Sequence, residues 1–82
     1  MKAKVHVTLK PGVFDPQGRA IQQSLVTLGF TSVQEVRVGK FMEVELQEID
    51  LAAAEAKIKE MCNKLLANTV IEDYHYELSD QS

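Results

Sequence analysis

"LKPGVFDPQGRAIQQSLVTLGF", residues 9–30, is the stretch whose reading decides the fold. It holds a strand end, a Gly/Pro turn, a helix start, one amphipathic helix and a helix stop. Pro11 and Gly12 end the strand. Asp15 is the expected N-cap and Pro16 the first helical residue: the carboxylate accepts orphan N–H groups, and proline lacks one. Gly18, Ile21, Leu25 and Leu28 follow at helical spacing. Gly29 is a natural left-handed stop with Phe30 after it, as in a Schellman motif.

Working outward, Ala3, Val5, Val7 and Leu9 alternate with Lys2, Lys4, His6, Thr8 and Lys10, the pattern of a half-buried strand. Residues 33–47, "VQEVRVGKFMEVELQ", place Val36, Val38, Met42, Val44 and Leu46 on one phase and Glu35, Arg37, Glu43 and Glu45 on the other. A two-residue turn at Gly39-Lys40 would break that phase. A hairpin with a three-residue loop, or one long strand bent at Gly39, keeps it. Asp50 is the expected N-cap of a second helix, with Ala54, Ile58, Met61 or Cys62, and Leu65 as its apolar stripe. Glu55–Lys59 and Glu60–Lys64 are i,i+4 pairs worth about 0.2–0.5 kcal/mol each. Asn68 suits a left-handed stop. A last strand carries Tyr74, Tyr76 and Leu78 on one face and Asp73, His75 and Glu77 on the other.

The order β-α-β-(β)-α-β predicts an α+β fold: a two-layer sandwich, an antiparallel sheet with two helices on one face, ferredoxin-like in outline. The first strand is then central, and Lys4 and His6 fall between acidic neighbours. The chain, 82 residues with only the tail "SDQS" (79–82) frayed, reads as a single domain. A chain this short buries only about 60–65% of its unfolded surface, so a partner would help it.

A net charge of −3 argues against a general phosphate-backbone binder. One cysteine, Cys62, permits no internal disulfide, and zinc-finger spacing is absent. No run is of membrane-spanning length, and the cytoplasm is the expected compartment. His6 and His75 share the polar face, but a metal site wants more ligands. Cys62 reads as a core thiol and Tyr74 and Tyr76 as core aromatics. "GVFDPQG" could offer a helix N-terminus to an anion, yet no Gly-Lys-Ser/Thr follows; Gly12 reads as a turn and Gly18 as a close approach of helix to sheet. Glu72 and Asp73 are adjacent in a strand, so they face opposite ways and cannot work as an acid–base pair. No catalytic, cofactor or metal site is expected on the chain.

Three stretches, "LKPGVFDPQGRA" (9–20), "VRVGKFMEVEL" (36–46) and "LLANTVIEDY" (65–74), resemble the PurS family over about residues 3–78. That family is the small subunit of phosphoribosylformylglycinamidine (FGAM) synthase. The chain departs where the family commonly has Leu at Phe14 and Pro at Thr69. The resemblance implies a non-catalytic subunit in de novo purine synthesis. It would bridge the PurQ glutaminase and the PurL synthetase, which binds ATP and Mg, and assist ammonia transfer as FGAR becomes FGAM. Motif positions carried over are Gly12, Asp15, Pro16, Gly18, Arg37, Gly39, Lys40, Asn68, Glu72 and Asp73. Arg37 and Lys40, an exposed basic pair without an evident fold role, are the expected subunit contacts. A homodimer or dimer of dimers built through residues 33–47 is expected. The alternative is a small dimeric ligand-binding regulatory domain. An RNA-binding module is disfavoured, because Glu43 and Glu45 stand where its aromatics would be.

Overall fold

The computed structural model describes residues 1–80. Strand β1 (Lys2–Leu9), helix α1 (Pro16–Thr27), strand β2 (Gly39–Glu45), helix α2 (Leu51–Met61) with a π-helical turn (Cys62–Leu66), and strand β3 (Glu72–Ser79) follow in order. The sheet is antiparallel with order β2-β1-β3, so the first strand is central as expected. Ser79, expected to fray, is the last residue of β3 and pairs with Lys2; residues 81–82 of the tail lie outside the described residues.

One face of the sheet is dry. Ala3, Val5 and Val7 of β1 are buried with Ile58, Cys62 and Ala67. Met42, Val44 and Leu46 from one side and Tyr74, Tyr76 and Leu78 from the other pack against that cluster. The tyrosine hydroxyls reach out of it: Tyr76 donates to Glu55 at 2.9 Å and Tyr74 to Asn63 at 3.2 Å. The other face is charged. Lys4 lies between Glu43 and Glu77, as expected, and Lys2 reaches Glu43 at 2.8 Å. His6 departs from expectation: its cross-strand neighbours are Phe41 and His75, and the two imidazoles stack with centroids 4.4 Å apart.

Residues 33–47 form neither a hairpin nor one long strand. Pairing with β1 stops at Gly39 opposite Thr8, because β1 itself ends at Leu9 before the Pro11-Gly12 turn. Val36 and Val38 keep the inward phase and are half-buried without belonging to the sheet.

Both helix starts form as the capping rules require. Asp15 accepts from the Gly18 N–H and Asp50 from the Ala53 N–H. Helix α1 ends in a Schellman stop: Gly29 at φ +108° donates to Val26, and Phe30 to Leu25, both at 3.0 Å. The body of α1 is loosely covered. Only Gly18 is buried in it, while Ile21 and Leu28 of its apolar stripe are exposed. The molecule is accordingly elongated, 49 × 27 × 14 Å.

The end of α2 corrects two expectations. Ala54, Ile58 and Cys62 are buried in register, but Leu65 is exposed and Leu66 packs on the core. The reason is the π turn: the Ala67 N–H donates to the Cys62 carbonyl at 3.0 Å, an i→i+5 bond that inserts one residue and advances the stripe. Asn68 is not left-handed, since no non-glycine residue among those described has positive φ. The helix stops at Ala67, which turns extended, and Asn68 organises the following turn through its side chain and carbonyl.

Candidate functional site

The three motif stretches converge at the end of the sheet where β1 stops. Gly12, at φ +88°, lets the chain reverse, and the Val13 N–H closes that turn on the Lys10 carbonyl at 3.1 Å. Asp15 then stands at the head of α1 in extended conformation and is only 8% exposed. Its Oδ1 accepts the Gly18 N–H and its Oδ2 the Val38 N–H, both at 2.8 Å. The Val38 and Gly18 donors hold the Asp15 carboxyl below the usual carboxylate range, helped by the nearby Arg37.

Gly18 has a different purpose from the one its spacing suggested. A Cβ there would lie 2.1 Å from the Val36 carbonyl oxygen, so the close approach is to the 33–38 segment, not the sheet. Gly39 is similarly constrained, with a Cβ falling 2.6 Å from the Val7 carbonyl oxygen.

Arg37 overturns its expected freedom. Its Nη1 donates to the Val13 carbonyl at 3.1 Å, and its Nη2 to Lys10 at 3.1 Å and Leu9 at 3.3 Å. It also lies 3.8 Å from Glu35. The guanidinium therefore ties the reversing turn to the 33–38 segment. The side-chain letters could not reveal this role, because all three acceptors are backbone carbonyls.

Lys40 keeps an exposed ammonium, 3.8 Å from Glu72. Glu72 in turn accepts the Asn68 N–H at 2.7 Å. Asn68 Oδ1 accepts from Val70, and its carbonyl accepts from Ile71 and Glu72. The Ile71 carbonyl takes the Lys10 N–H at 2.8 Å, closing the third motif onto the first. Asp73 stands outside this network, exposed and opposite Thr8.

Two open grooves flank the knot. One, of about 320 Å³, runs past Leu9, Pro16, Val38, Lys40 and Glu72. The other, of about 280 Å³, lies on the far side of Asp15. Chemically the knot is a brace: both Asp15 oxygens are occupied by backbone N–H groups, and Arg37 is spent on carbonyls. Among the described residues no cluster of three or more His, Cys, Asp or Glu could hold a metal ion. Burial pushes the Cys62 thiol up, away from the thiolate a nucleophile needs. Among the described residues no helix is long and apolar enough to cross a membrane.

Residues 2–80 match the PurS family, described as phosphoribosylformylglycinamidine (FGAM) synthase. The chain is 51% identical over 79 residues to the phosphoribosylformylglycinamidine synthase subunit PurS of Bacillus subtilis, covering 96% of this chain and 93% of that protein. It is 42% identical over 77 residues to the same-named subunit of Methanocaldococcus jannaschii, covering 94% and 93%. Among solved structures, B. subtilis PurS superposes with a TM-score of 0.85 at 51% identity, covering 96% of this chain and 98% of that one. A chain of the PurLQS structure from Thermotoga maritima superposes with a TM-score of 0.84 at 29% identity, covering 93% of each.

Proposed function

The chain belongs to the PurS family of FGAM synthase, and from that membership we propose that it is the non-catalytic subunit of such a synthase. It bridges a PurQ-type glutaminase and a PurL-type synthetase and assists the passage of ammonia between them. ATP and Mg act on the synthetase partner, and the complex works in the cytoplasm. The observation that carries this reading is the fate of the motif residues. Asp15, Arg37, Asn68 and Glu72 spend their hydrogen-bonding capacity on backbone groups, which makes a rigid shape rather than a reaction centre. A rigid adaptor suits a task in which a small nucleophile must not be lost to bulk water.

The chain works as a homodimer or dimer of dimers. Among the described residues no further strand joins the sheet beyond β2 or β3, and a groove of about 490 Å³ exposes mainly apolar atoms of Val44, Met61, Leu65 and Leu66 between Lys57, Glu60 and Lys64. The stripe of α1 and the in-phase Val36 and Val38 supply apolar surface of the kind a second copy would bury. Arg37, still exposed beside its backbone bonds, and Lys40 remain the proposed subunit contacts.

Reconstitution tests the reading. Glutamine-dependent FGAM formation by the matching PurL and PurQ subunits should require this chain, whereas the chain alone should turn over neither glutamine nor ribonucleotide. Full turnover without it, or ligation by it alone, would overturn the proposal.

A further inference from the structure

Helix α1 and residues 33–38 form a body of their own. Asp15 accepts the Val38 N–H at 2.8 Å, Gln22 donates to the Val33 carbonyl at 3.3 Å, and Gly18 lets the Val36 carbonyl close on the helix. Among the described residues, none from this body belongs to the hydrophobic cluster that joins α2 to the sheet. Parts of a chain that share no large apolar interface move relative to one another unless something else holds them.

Two short backbone connections link the α1 body to the sheet: the reversing turn after Leu9 and the peptide from Val38 to Gly39. The turn contains Gly12, at φ +88°, whose missing Cβ leaves the backbone room to rotate further. Arg37 spans the junction. It belongs to the α1 body, and its Nη2 donates to the Lys10 and Leu9 carbonyls at 3.1 and 3.3 Å. Lys10 is itself fixed on the sheet side, through its N–H on the Ile71 carbonyl at 2.8 Å. Glu35, 3.8 Å from Arg37, rides on the same body as the guanidinium and adds no bond across. Because Arg37 is exposed, water competes for its bonds, so they open and reclose readily. The groove of about 320 Å³ lies in this junction, with Leu9, Lys40 and Glu72 on one wall and Pro16, Gln17 and Val38 on the other.

We propose that the chain is hinged between its sheet and the α1 body, and that Arg37 is the latch that sets the angle between them. Opening the latch swings Pro16 and Val38 away from Lys40 and Glu72 and widens the groove, with the secondary structure of each body intact. This is a property of the chain's own conformations and stands apart from the subunit reading above. The test is residual dipolar couplings of backbone amides, measured on the full chain in the oligomeric state it adopts. In the wild type one alignment tensor should fit both bodies. In Arg37→Ala each body should still fit a tensor of its own, with the degree of order of α1 and 33–38 reduced by about a third or more relative to the sheet. Arg37→Lys, which replaces the fork by one point donor, should fall between the two. A single shared tensor in both variants would overturn the latch, and so would separate tensors already in the wild type. Amides of the α1 body that no longer fit any common tensor in either variant would show local unfolding and overturn the hinge.

Discussion

The carboxylate of Asp15 accepts the Val38 N–H at 2.8 Å across a sequence separation of 23, while its other oxygen caps α1 at Gly18. One side chain therefore starts a helix and pins a non-sheet segment to it. Asp15→Ala should lower Tm by roughly 5–10 °C, beyond what loss of an ordinary exposed cap produces. Asp15→Asn, which keeps one oxygen, should fall in between. A thermal melt of Asp15→Ala within 2–3 °C of wild type (roughly the effect of a minor surface change) would refute the double role.

The same carboxyl makes stability depend on acid. Its backbone donors hold its folded value below the ordinary one, so its contribution is fully present above about pH 4 and is lost as pH falls through the depressed value. The Tm gap between wild type and Asp15→Asn should be constant from pH 7 to 5 and shrink below pH 4. A gap that widens with acid would have the sign wrong.

Arg37 and Lys40 should separate in their effects. Arg37→Ala removes three donors to the Leu9, Lys10 and Val13 carbonyls and should cost about 1–2 kcal/mol in chemical denaturation. Lys40→Ala, at an exposed and loose ion pair, should stay within about 0.5 kcal/mol. Equal effects would refute the distinction.

Gly18→Ala should be severe. The added methyl would enter the space of the Val36 carbonyl, a backbone atom, and would also press on the Asp15 carboxylate 2.9 Å away, which two backbone N–H groups hold in place. A loss of about 2–4 kcal/mol is expected, although alanine is the better helix former. Neutral or raised stability would mean that the 33–38 segment moves freely off the helix.

Leu65 and Leu66 test the π turn and the proposed dimer together. Leu66→Ala should destabilise the fold, whereas Leu65→Asp, at an 82% exposed position, should leave the monomer folded and reduce the mass seen by light scattering. Val44→Pro removes a backbone donor from β2 and should disrupt both fold and assembly. A Leu65→Asp chain of unchanged mass would exclude its groove from the dimer contact.

What could be read from the letters was what is decided locally. Asp15-Pro16 and Gly29-Phe30 announce the ends of α1 because capping involves neighbours a few residues away. The alternation in β1, β2 and β3 announces their faces because a pleat has period two. The exchange of Leu66 for Leu65 was hidden, since both are leucines and only one i→i+5 bond chooses between them. Arg37 was hidden because carbonyl acceptors exist at every position, and the turn that gathers three of them is tertiary. Asn68 is half legible: its letter marks a chain reversal, but the reversal is made by its side-chain oxygen accepting the Val70 N–H rather than by a left-handed backbone.

The central place of β1 in the sheet has a consequence for synthesis. Its partners lie far downstream, β2 opening at Gly39 and β3 at Glu72. At roughly 5–20 residues per second, the edge of β1 destined for β3 waits several seconds after translation before its partner exists. During that interval Val5 and Val7 face solvent or the wrong strand, and most of the sheet's contacts must close over long loops. Shortening the wait, by a circular permutation that opens the exposed Asn68–Ile71 turn and brings β3 ahead of β1, should speed refolding while preserving the same β2-β1-β3 sheet.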